Sequence, residues 1–445
     1  MKREGISPGD GASVRVESGL WFAHLLAFRK TLSLGIFDMS DLLQTSPYLT
    51  CLTAGQSSRI VFAVDEIEPV FPDVKPPDGA AFGVIGLDRN VVWHGDLNAL
   101  DALQHAASAP VARQSLIETY GPQVVSDLVG RGWLQRPEEL CTEYYLTSAQ
   151  IEVTAHCNWG CSFCPVSTDR KPKATMPMPL FEEIIEKISP HDTIRCVTFH
   201  FFNEPTLDPF FEERVAVLQA YRLPLWLFTN ATRLTESRIE MLKQSGVLGR
   251  LVVNLPTLQE EDFRSLTKSK TYSAVIHNLD AAIAAGLPVE IAVTGTGEEV
   301  PQRLSELRER YEAPGVSVKA TLTADRAGAL SGRYNQAVQV EGQLTGCAWP
   351  VNHAYFSVTG EMFICCNDYY QRETFGNIRS GSLHEVMTSP EAVLLRRRVF
   401  GVADAPADYV CRSCHDQLLD FPRRQFRPLA SFPVLKRCGM SGGCP

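Results

Sequence analysis

Residues 151–165 have the sequence Ile151-Glu-Val-Thr-Ala-His-Cys157-Asn-Trp-Gly-Cys161-Ser-Phe-Cys164-Pro165. A β-rich apolar run is thus followed at once by a loop, residues 156–165, that contains three cysteines (the three-cysteine loop). Three thiolates this close can each bind one iron of a four-iron cluster, whose complete ligation by protein needs four thiolates. One iron is left open, and an open position is typical of a catalytic metal site. Zinc is the alternative, although its structural sites usually take four ligands as two close pairs.

The loop resembles the signature C-x3-C-x-aromatic-C of the radical S-adenosylmethionine (radical SAM) enzymes, with Phe163 as the aromatic residue. The resemblance implies a [4Fe-4S] cluster held by Cys157, Cys161 and Cys164, whose open iron chelates the amino and carboxylate groups of S-adenosylmethionine. It also implies one-electron cleavage to a 5′-deoxyadenosyl radical that abstracts a hydrogen atom from the substrate. A reducing partner such as flavodoxin or ferredoxin is expected.

Length and composition indicate a multidomain protein without a nucleic-acid or membrane role. The chain of 445 residues is long enough for two or three domains. Its net charge of −9 offers no general basic surface for nucleic acid. The N-terminus lacks a secretory signal, and Arg29 and Lys30 interrupt the apolar segment 20–37. We therefore expect a cytoplasmic protein, in which the 13 cysteines are used for metal ligation in preference to disulfide bonds.

Residues 148–330 alternate β-rich runs with amphipathic helical stretches, a pattern typical of βα units around a parallel sheet. The predicted strands are 151–155, 196–202, 224–229, 250–254, 289–294 and 316–320. Six units resemble the partial (β/α)6 TIM-like barrel of the radical SAM family, so the predicted fold class is α/β. Reactive groups gather at the carboxyl ends of such strands, and the three-cysteine loop follows the first predicted strand.

The segment after the second predicted strand resembles the family's G-E-P stretch. This resemblance implies that the Glu204 carboxylate binds the ammonium of the methionine part of S-adenosylmethionine through a charge-assisted hydrogen bond. Asn203 replaces the usual glycine, which fits a left-handed backbone there, since Asn tolerates that conformation; with any other turn, we expect Glu204 to be misoriented. The stretch Thr229-Asn230-Ala231 resembles the family's T-N-G and is expected to shape the pocket wall. Further cofactor contacts are expected at Phe163, Asn254 and Val293.

A second group of cysteines lies near the C-terminus, in the order Cys347, Gly360, Cys365, then Cys411 and Cys414. Four thiolates complete a closed four-iron cluster, and the order resembles the twitch domain, a shorter relative of the SPASM domain, over residues 340–420. A full SPASM domain would add further cysteines, the first at the position of Asp420. We therefore predict one auxiliary [4Fe-4S] cluster, with a four-cysteine zinc site as the alternative.

A closed auxiliary cluster is suited to electron transfer, which would favour net oxidation of the substrate radical. A thiol that returns a hydrogen atom would instead favour epimerisation, and Cys366 is the candidate for that role. Oxidation also needs a general base. The candidates are Asp368 and Tyr370, followed by Tyr369 and His200.

The N-terminal region differs from residues 148–330 in its pattern of predicted strands and helices. Residues 80–140 contain two β-like runs around 81–93 and helical patterns at 98–107, 111–120 and 124–132. They loosely resemble the winged-helix-like peptide-binding domain of peptide-maturing radical SAM enzymes, and a structural cap on the barrel is the alternative. We assign no function to two further segments. These are residues 1–79, which contain a proline-rich linker at 69–78, and the tail 421–445, which contains Cys438 and Cys444.

Three functional hypotheses follow. The first is a radical SAM enzyme that modifies a ribosomally synthesised peptide, whose leader is held by residues 80–137. The second is a radical SAM oxidoreductase or epimerase that acts on a small metabolite such as an aminocyclitol, sugar or nucleoside intermediate. The third is a non-catalytic iron–sulfur binding or redox-sensing protein, which would not need Glu204.

Overall fold

The computed structural model describes residues 41–52, 61–62, 77–87, 90–295, 299–322, 326–330, 344 and 346–414. The proline-rich 69–78 linker except its last two residues, the position of Asp420, and Cys438 and Cys444 lie outside these ranges. None of the described helices is both long and apolar enough to cross a membrane.

The N-terminal region forms two small sheets and three helices. The strands are β1 (Leu42–Thr45), β2 (Thr50–Leu52), β3 (Val61–Phe62), β4 (Phe82–Ile85), β5 (Val91–His94), β6 (Val111–Ala112) and β7 (Leu134–Gln135), and the helices are α1 (Leu97–His105), α2 (Arg113–Tyr120) and α3 (Pro122–Gly130). The sheets have the orders β6-β1-β7 and β3-β2-β4-β5. Apolar faces of these elements enclose a core of their own, which includes Phe82, Leu103 and Leu128. The predicted hairpin and three helices are present, and the winged-helix-like assignment stays a prediction.

The central region alternates strands with helices. Its elements are β8 (Ser148–Ile151), α4 (Met178–Ile188), β9 (Cys196–Thr198), α5 (Phe211–Tyr221), β10 (Leu225–Thr229), α6 (Glu236–Ser245), β11 (Leu248–Asn254), α7 (Glu260–Thr267), α8 (Tyr272–Ala284), β12 (Val289–Gly295), α9 (Val300–Tyr311) and β13 (Val316–Leu322). Strands β8 to β13 pair in parallel, each beside its neighbour in the chain. The predicted α/β class with a parallel sheet is confirmed, and closure into a partial barrel stays a prediction.

Two predicted strand limits are wrong. β8 ends at Ile151, where the predicted strand begins, because residues 153–155 leave the sheet and pair with residues 174–176. In that pairing the Ala155 N–H donates to the Ala174 carbonyl at 2.8 Å. β9 ends at Thr198 instead of residue 202, because the chain turns there.

The C-terminal region continues the same sheet. Its elements are α10 (Trp349–Asn352), β14 (His353–Phe356), β15 (Glu361–Phe363), β16 (Thr374–Asn377), α11 (Leu383–Met387) and α12 (Pro390–Val399). β14 pairs in parallel with β8, and β15 and β16 extend the sheet in antiparallel fashion. Gly360 lies in the turn before β15 with φ of 84°, where a Cβ would meet Leu180 at 3.0 Å. A glycine is therefore needed at this turn.

Two arginines of α12 join the C-terminal region to the segment that precedes β8. The Arg396 guanidinium, 1% exposed, donates to the carbonyls of Cys141 at 2.9 Å and Thr142 at 3.1 Å. Arg397 donates to the Leu140 carbonyl at 3.1 Å. Because carbonyls buried without donors are costly, these contacts hold the N-terminal region against α12.

A buried ion pair supports the loop between β9 and α5. The Asp208 carboxylate lies 2.5 Å from the Arg214 Nε, and both side chains are fully buried. Arg214 also donates to the Met176 carbonyl. Loss of one partner leaves the other as an unpaired buried charge, which is strongly unfavourable.

We expect Asp208→Ala to lower the free energy of unfolding by about 3–5 kcal/mol, because it strands the Arg214 guanidinium. The matched control is Glu260→Ala, which breaks an exposed i,i+4 pair with Arg264 and should cost under about 1 kcal/mol. Urea unfolding followed by circular dichroism measures both variants. Equal midpoints for the two would contradict the structural importance of this buried pair.

Candidate active site

The three thiols of the three-cysteine loop converge in a largely buried site. Cys161 is buried, Cys157 and Cys164 are half-buried, and all three are free of disulfides. Burial raises the pKa of Cys157 to about 12. Burial, followed by the neighbouring thiols of Cys164 and Cys157, raises the pKa of Cys161 well above its usual value. A thiol with a raised pKa forms little free thiolate, so it is unsuited to nucleophilic catalysis. Metal binding, in contrast, deprotonates a thiol outright.

The backbone of the three-cysteine loop is held from two sides. The Gly160 N–H donates to the Thr267 carbonyl at the end of α7, at 3.0 Å. Arg170 donates to the carbonyls of Cys157 at 2.6 Å and Trp159 at 2.8 Å. The loop is therefore shaped by contacts to distant segments as well as by its own sequence.

Glu204 is the buried carboxylate beside this loop. It is 1% exposed and accepts hydrogen bonds from the Thr206 hydroxyl at 2.5 Å and the Thr229 hydroxyl at 2.6 Å. Its second oxygen accepts from the Asn230 N–H at 2.6 Å. The Glu204 N–H donates to the carbonyl of His156, the residue before Cys157, at 2.8 Å. The glutamate thus connects the carboxyl end of β10 with the three-cysteine loop.

The surroundings of Glu204 suit a cationic ligand. Burial raises its pKa, and the hydrogen bonds from Asn230, Thr206 and Thr229 oppose this effect. In the described part of the chain, no Lys, Arg or His forms an ion pair with it. The carboxylate also contributes to the raised pKa of Cys157, so it lies near that thiol. A ligand ammonium would supply the missing counter-charge.

The turn before Glu204 is built differently from the prediction. Asn203 does not have the expected positive φ. Instead its side-chain oxygen accepts from the Phe201 N–H at 2.6 Å, and its amide donates to the Phe199 carbonyl at 3.0 Å. The side chain closes the turn that a glycine would make by backbone freedom, so the left-handed prediction is wrong, yet Glu204 is still oriented toward β10.

The turn after β10 connects to the three-cysteine loop through amide side chains. The Asn230 amide donates to the Asn158 oxygen at 2.8 Å, and the Asn158 amide donates to the Thr232 hydroxyl at 2.9 Å. Ala231, at the family's glycine position, has φ of 60°. A non-glycine residue in this left-handed region costs about 1–2 kcal/mol, so the surrounding contacts must outweigh that cost.

The other residues predicted to contact the cofactor, Asn254, Phe163 and Val293, differ in how far they are buried. Asn254 ends β11, and its oxygen accepts from the Thr294 hydroxyl on β12 at 3.0 Å. Phe163 is buried in the main core beside the loop, 8% exposed. Val293 is fully buried in the same core. Its contact with a ligand stays a prediction.

The four cysteines predicted for the auxiliary cluster meet in one place. Cys347, Cys365, Cys411 and Cys414 all line a single cavity (the four-cysteine cavity). Burial and the neighbouring thiols raise the pKa of Cys365 well above its usual value. No group of His, Cys, Asp or Glu among the described residues is arranged to hold a single metal ion. A cluster does not require that arrangement, since each thiolate binds a different iron.

Cys366 and Tyr370 are not among the residues that line the four-cysteine cavity. Cys366 is half-buried and does not line the cavity. Its thiol lies beside the buried Tyr355 hydroxyl, whose pKa is raised by burial and then by Cys366. Tyr370 is 47% exposed and near Asp169. Such exposure is typical of a surface residue more than of a base in a closed site.

Asp368 is a buried base candidate, and His200 is a half-buried one whose Nδ1 atom is buried. One Asp368 oxygen accepts from the Glu373 N–H at 2.8 Å, and the other has no hydrogen-bond partner among the described residues. Burial raises the pKa of Asp368. Burial lowers the pKa of His200 to about 4, and its Nδ1 also has no partner. Tyr369 is different, since its hydroxyl donates to the Asp169 carbonyl.

Sequence reasoning missed the cations of this region, because a lone Lys or Arg in a loop carries no spacing signal. Lys171 lies 3.6 Å from the Glu152 carboxylate and over the rings of Phe201 at 4.6 Å and Tyr369 at 5.1 Å. Burial lowers its pKa, and Glu152 and Asp368 oppose this. The region near the three-cysteine loop therefore contains buried charges of both signs.

Comparison with known proteins identifies two domains. The family model of the radical SAM superfamily matches residues 151–310, and that of an iron–sulfur cluster-binding domain, SPASM, matches residues 347–415.

The chain is 22% identical over 270 residues to the S-adenosyl-L-methionine-dependent 2-deoxy-scyllo-inosamine dehydrogenase of Niallia circulans, covering 60% of this chain and 92% of that protein. It is 30% identical over 156 residues to GTP 3′,8-cyclase of Corynebacterium glutamicum, covering 32% and 40%. The solved structure of SuiB of Streptococcus suis bound to precursor peptide SuiA has a TM-score of 0.47 at 12% identity, covering 84% and 93%.

The two matched domains contain both thiol groups. The first match includes the three-cysteine loop, and the second includes the four cysteines of the cavity. A radical SAM domain implies a [4Fe-4S] cluster with S-adenosylmethionine, and a SPASM domain implies auxiliary iron–sulfur ligation, so the predicted cofactor classes are confirmed. The chain is a member of the radical SAM superfamily, with a radical SAM domain followed by a SPASM-type iron–sulfur cluster-binding domain.

Proposed function

We propose that this radical SAM enzyme modifies a ribosomally synthesised peptide by abstracting a hydrogen atom and oxidising the resulting site. When bound, the [4Fe-4S] cluster and S-adenosylmethionine supply the 5′-deoxyadenosyl radical. The observation that carries the radical chemistry is Glu204, a buried carboxylate beside Cys157 whose two oxygens both accept hydrogen bonds and which forms no ion pair with any described Lys, Arg or His. This combination supports a complete binding site and disfavours the non-catalytic alternative.

The ligand roles follow from this arrangement. Cys157, Cys161 and Cys164 hold the open cluster, and Glu204 receives the ammonium of the cosubstrate. Thr229 and Asn230 orient the Glu204 carboxylate through the hydrogen bonds that they donate. The remaining contacts are proposed for Phe163, Asn203, Asn254 and Val293.

The auxiliary [4Fe-4S] cluster is proposed at the four-cysteine cavity, with Cys347, Cys365, Cys411 and Cys414 as ligands. A complete protein ligand set leaves no position for S-adenosylmethionine, which supports an electron-transfer role.

Asp368 is the proposed general base. Its side-chain oxygen without a protein partner is buried, and burial raises its pKa toward the range useful for proton transfer near neutral pH. Lys171 lies close enough to lower the pKa of Asp368 in turn. Cys366 remains the proposed hydrogen-atom donor in the epimerisation alternative, and Tyr370 is the weaker candidate because of its exposure.

The peptide substrate is supported by the N-terminal region. Residues 82–135 have their own core, and β5 ends the described sheet order β3-β2-β4-β5. An unpaired edge strand can add an extended peptide as a further strand. Val92 on β5 is 40% exposed and Leu97 is 57% exposed, which gives such a peptide apolar contacts.

The second candidate function is oxidation of an aminocyclitol or a related small metabolite. It is favoured by the similarity to the 2-deoxy-scyllo-inosamine dehydrogenase, which spans most of that protein's length. In this case the N-terminal region would serve as a cap.

We expect Cys161→Ala to abolish formation of 5′-deoxyadenosine by anaerobically reconstituted, dithionite-reduced protein, because the open cluster loses a ligand. Liquid chromatography with mass spectrometry measures the product. The matched control is Cys196→Ala, since Cys196 is a buried cysteine of β9 outside both thiol groups, and it should retain cleavage. Retained cleavage in Cys161→Ala would refute the assignment of the loop.

Glu204→Gln should weaken S-adenosylmethionine binding by about 10- to 100-fold, since a hydrogen bond to a charged group contributes about 1.5–3 kcal/mol. Because burial raises the pKa of Glu204, affinity should fall as pH decreases through that raised value, where the carboxylate takes up a proton. Anaerobic calorimetry measures both effects. Glu186→Gln, at an exposed position on α4, is the control, and an unchanged pH dependence in Glu204→Gln would contradict the role.

The substrate classes are separated by comparing two probes. The first is the peptide product of a short open reading frame beside this gene, which the peptide hypothesis predicts, and the second is 2-deoxy-scyllo-inosamine. We expect the peptide to increase 5′-deoxyadenosine formation and to lose two hydrogen atoms by mass. Val92→Asp should reduce peptide turnover and leave substrate-free cleavage unchanged, because it places a charge at the β5 edge. Turnover of the aminocyclitol alone would support the second candidate.

A further inference from the structure

Asn367 donates toward two cysteines of the four-cysteine cavity. Its backbone N–H lies 3.4 Å from the Cys365 sulfur, and its side-chain amide nitrogen lies 3.6 Å from the Cys414 sulfur. The residue is 3% exposed and also lines the cavity. Two N–H groups of a single residue are therefore directed at two of the four thiols.

Arg326 fixes the orientation of the Asn367 side chain. Its Nη1 donates to the Asn367 side-chain oxygen at 3.1 Å. A guanidinium can only donate, so the amide oxygen must face Arg326 and the amide nitrogen must face Cys414. Without this contact the amide could rotate and present its oxygen to the sulfur.

Arg326 also lies near the three-cysteine loop. Its charge is among the groups that oppose the burial-driven rise in the pKa of Cys164. Its guanidinium lies over the Phe202 ring at 5.6 Å, and its φ is 55°, in the left-handed region. The residue thus stands between the two thiol groups, and its backbone strain indicates that the position is held by surrounding contacts.

Hydrogen bonds to the ligand sulfurs change the reduction potential of an iron–sulfur cluster. One-electron reduction adds negative charge that the sulfurs share, and an N–H donor stabilises the more negative state. A donor toward Cys414 should therefore raise the potential and make the oxidised cluster a better electron acceptor. Removal of that donor should lower the potential.

We propose that Asn367, held by Arg326, is a positioning residue that raises the reduction potential of the auxiliary cluster. The proposal rests on the ligand assignment made above. It concerns the auxiliary site alone and is independent of the substrate. The role of Asn367 is to keep its side-chain amide N–H directed at the Cys414 sulfur.

The test measures the auxiliary cluster by itself, in the full-length chain with Cys157, Cys161 and Cys164 all replaced by alanine. Anaerobic redox titration followed by electron paramagnetic resonance then reports one signal. Asn367→Ala should shift the midpoint potential to a lower value at unchanged iron content. The matched control, Asn377→Ala, removes an asparagine of β16 whose amide donates to the Thr359 carbonyl, and it should leave the potential unchanged.

Arg326→Gln is the second variant, which keeps Asn367 and removes the group that orients it. It should lower the potential in the same direction, with a change in the Fe–S stretching bands that reports the altered hydrogen bond at sulfur. Equal potentials in Asn367→Ala and its parent, or an equal shift in the Asn377 control, would overturn the proposal. If the parent variant bound no iron, the ligand assignment itself would fail, and the proposal with it.

Discussion

The constraint on which the site depends is the burial of one carboxylate. Glu204 carries a charge into the core, which is unfavourable unless hydrogen-bond donors or a counter-charge compensate it. The donors come from its own turn and from the end of β10, and its backbone N–H reaches the residue before Cys157. Satisfying this charge therefore brings the β9 turn, the β10 turn and the three-cysteine loop together.

One continuous sheet connects the two domains that contain the two thiol groups. β14, from the SPASM-type domain, pairs in parallel with β8, the strand that leads into the three-cysteine loop. The pairing of His353 with Ser148 and of Phe356 with Ile151 sets the register between them. Because strand register is specified by which face is buried, the separation of the two thiol groups is a property of the sheet and does not depend on a flexible linker.

Several buried polar atoms near the two groups lack a protein partner. They include His200 Nδ1, one oxygen of Asp368 and the Arg326 Nε. Buried polar atoms are normally hydrogen-bonded, and exceptions often mark functional positions. The pKa of Asp368 is raised and that of His200 is lowered by burial, so both groups favour their neutral forms. A polar substrate would complete these hydrogen bonds.

The sequence by itself determined the parts that rest on spacing. Cysteines separated by three and by two intervening residues place their thiols in one loop, and the βα periodicity determined the parallel sheet, because both are local patterns. Glu204 was found from the motif that surrounds it. The structure alone decided how that glutamate is held, since Asn203 closes its turn by a side chain, and two of the donors, the Thr229 hydroxyl and the Asn230 N–H, lie 25 and 26 residues away in sequence. Likewise, no sequence pattern links Arg326 to Asn367, because their contact exists only once β13 and the segment after β15 fold against each other.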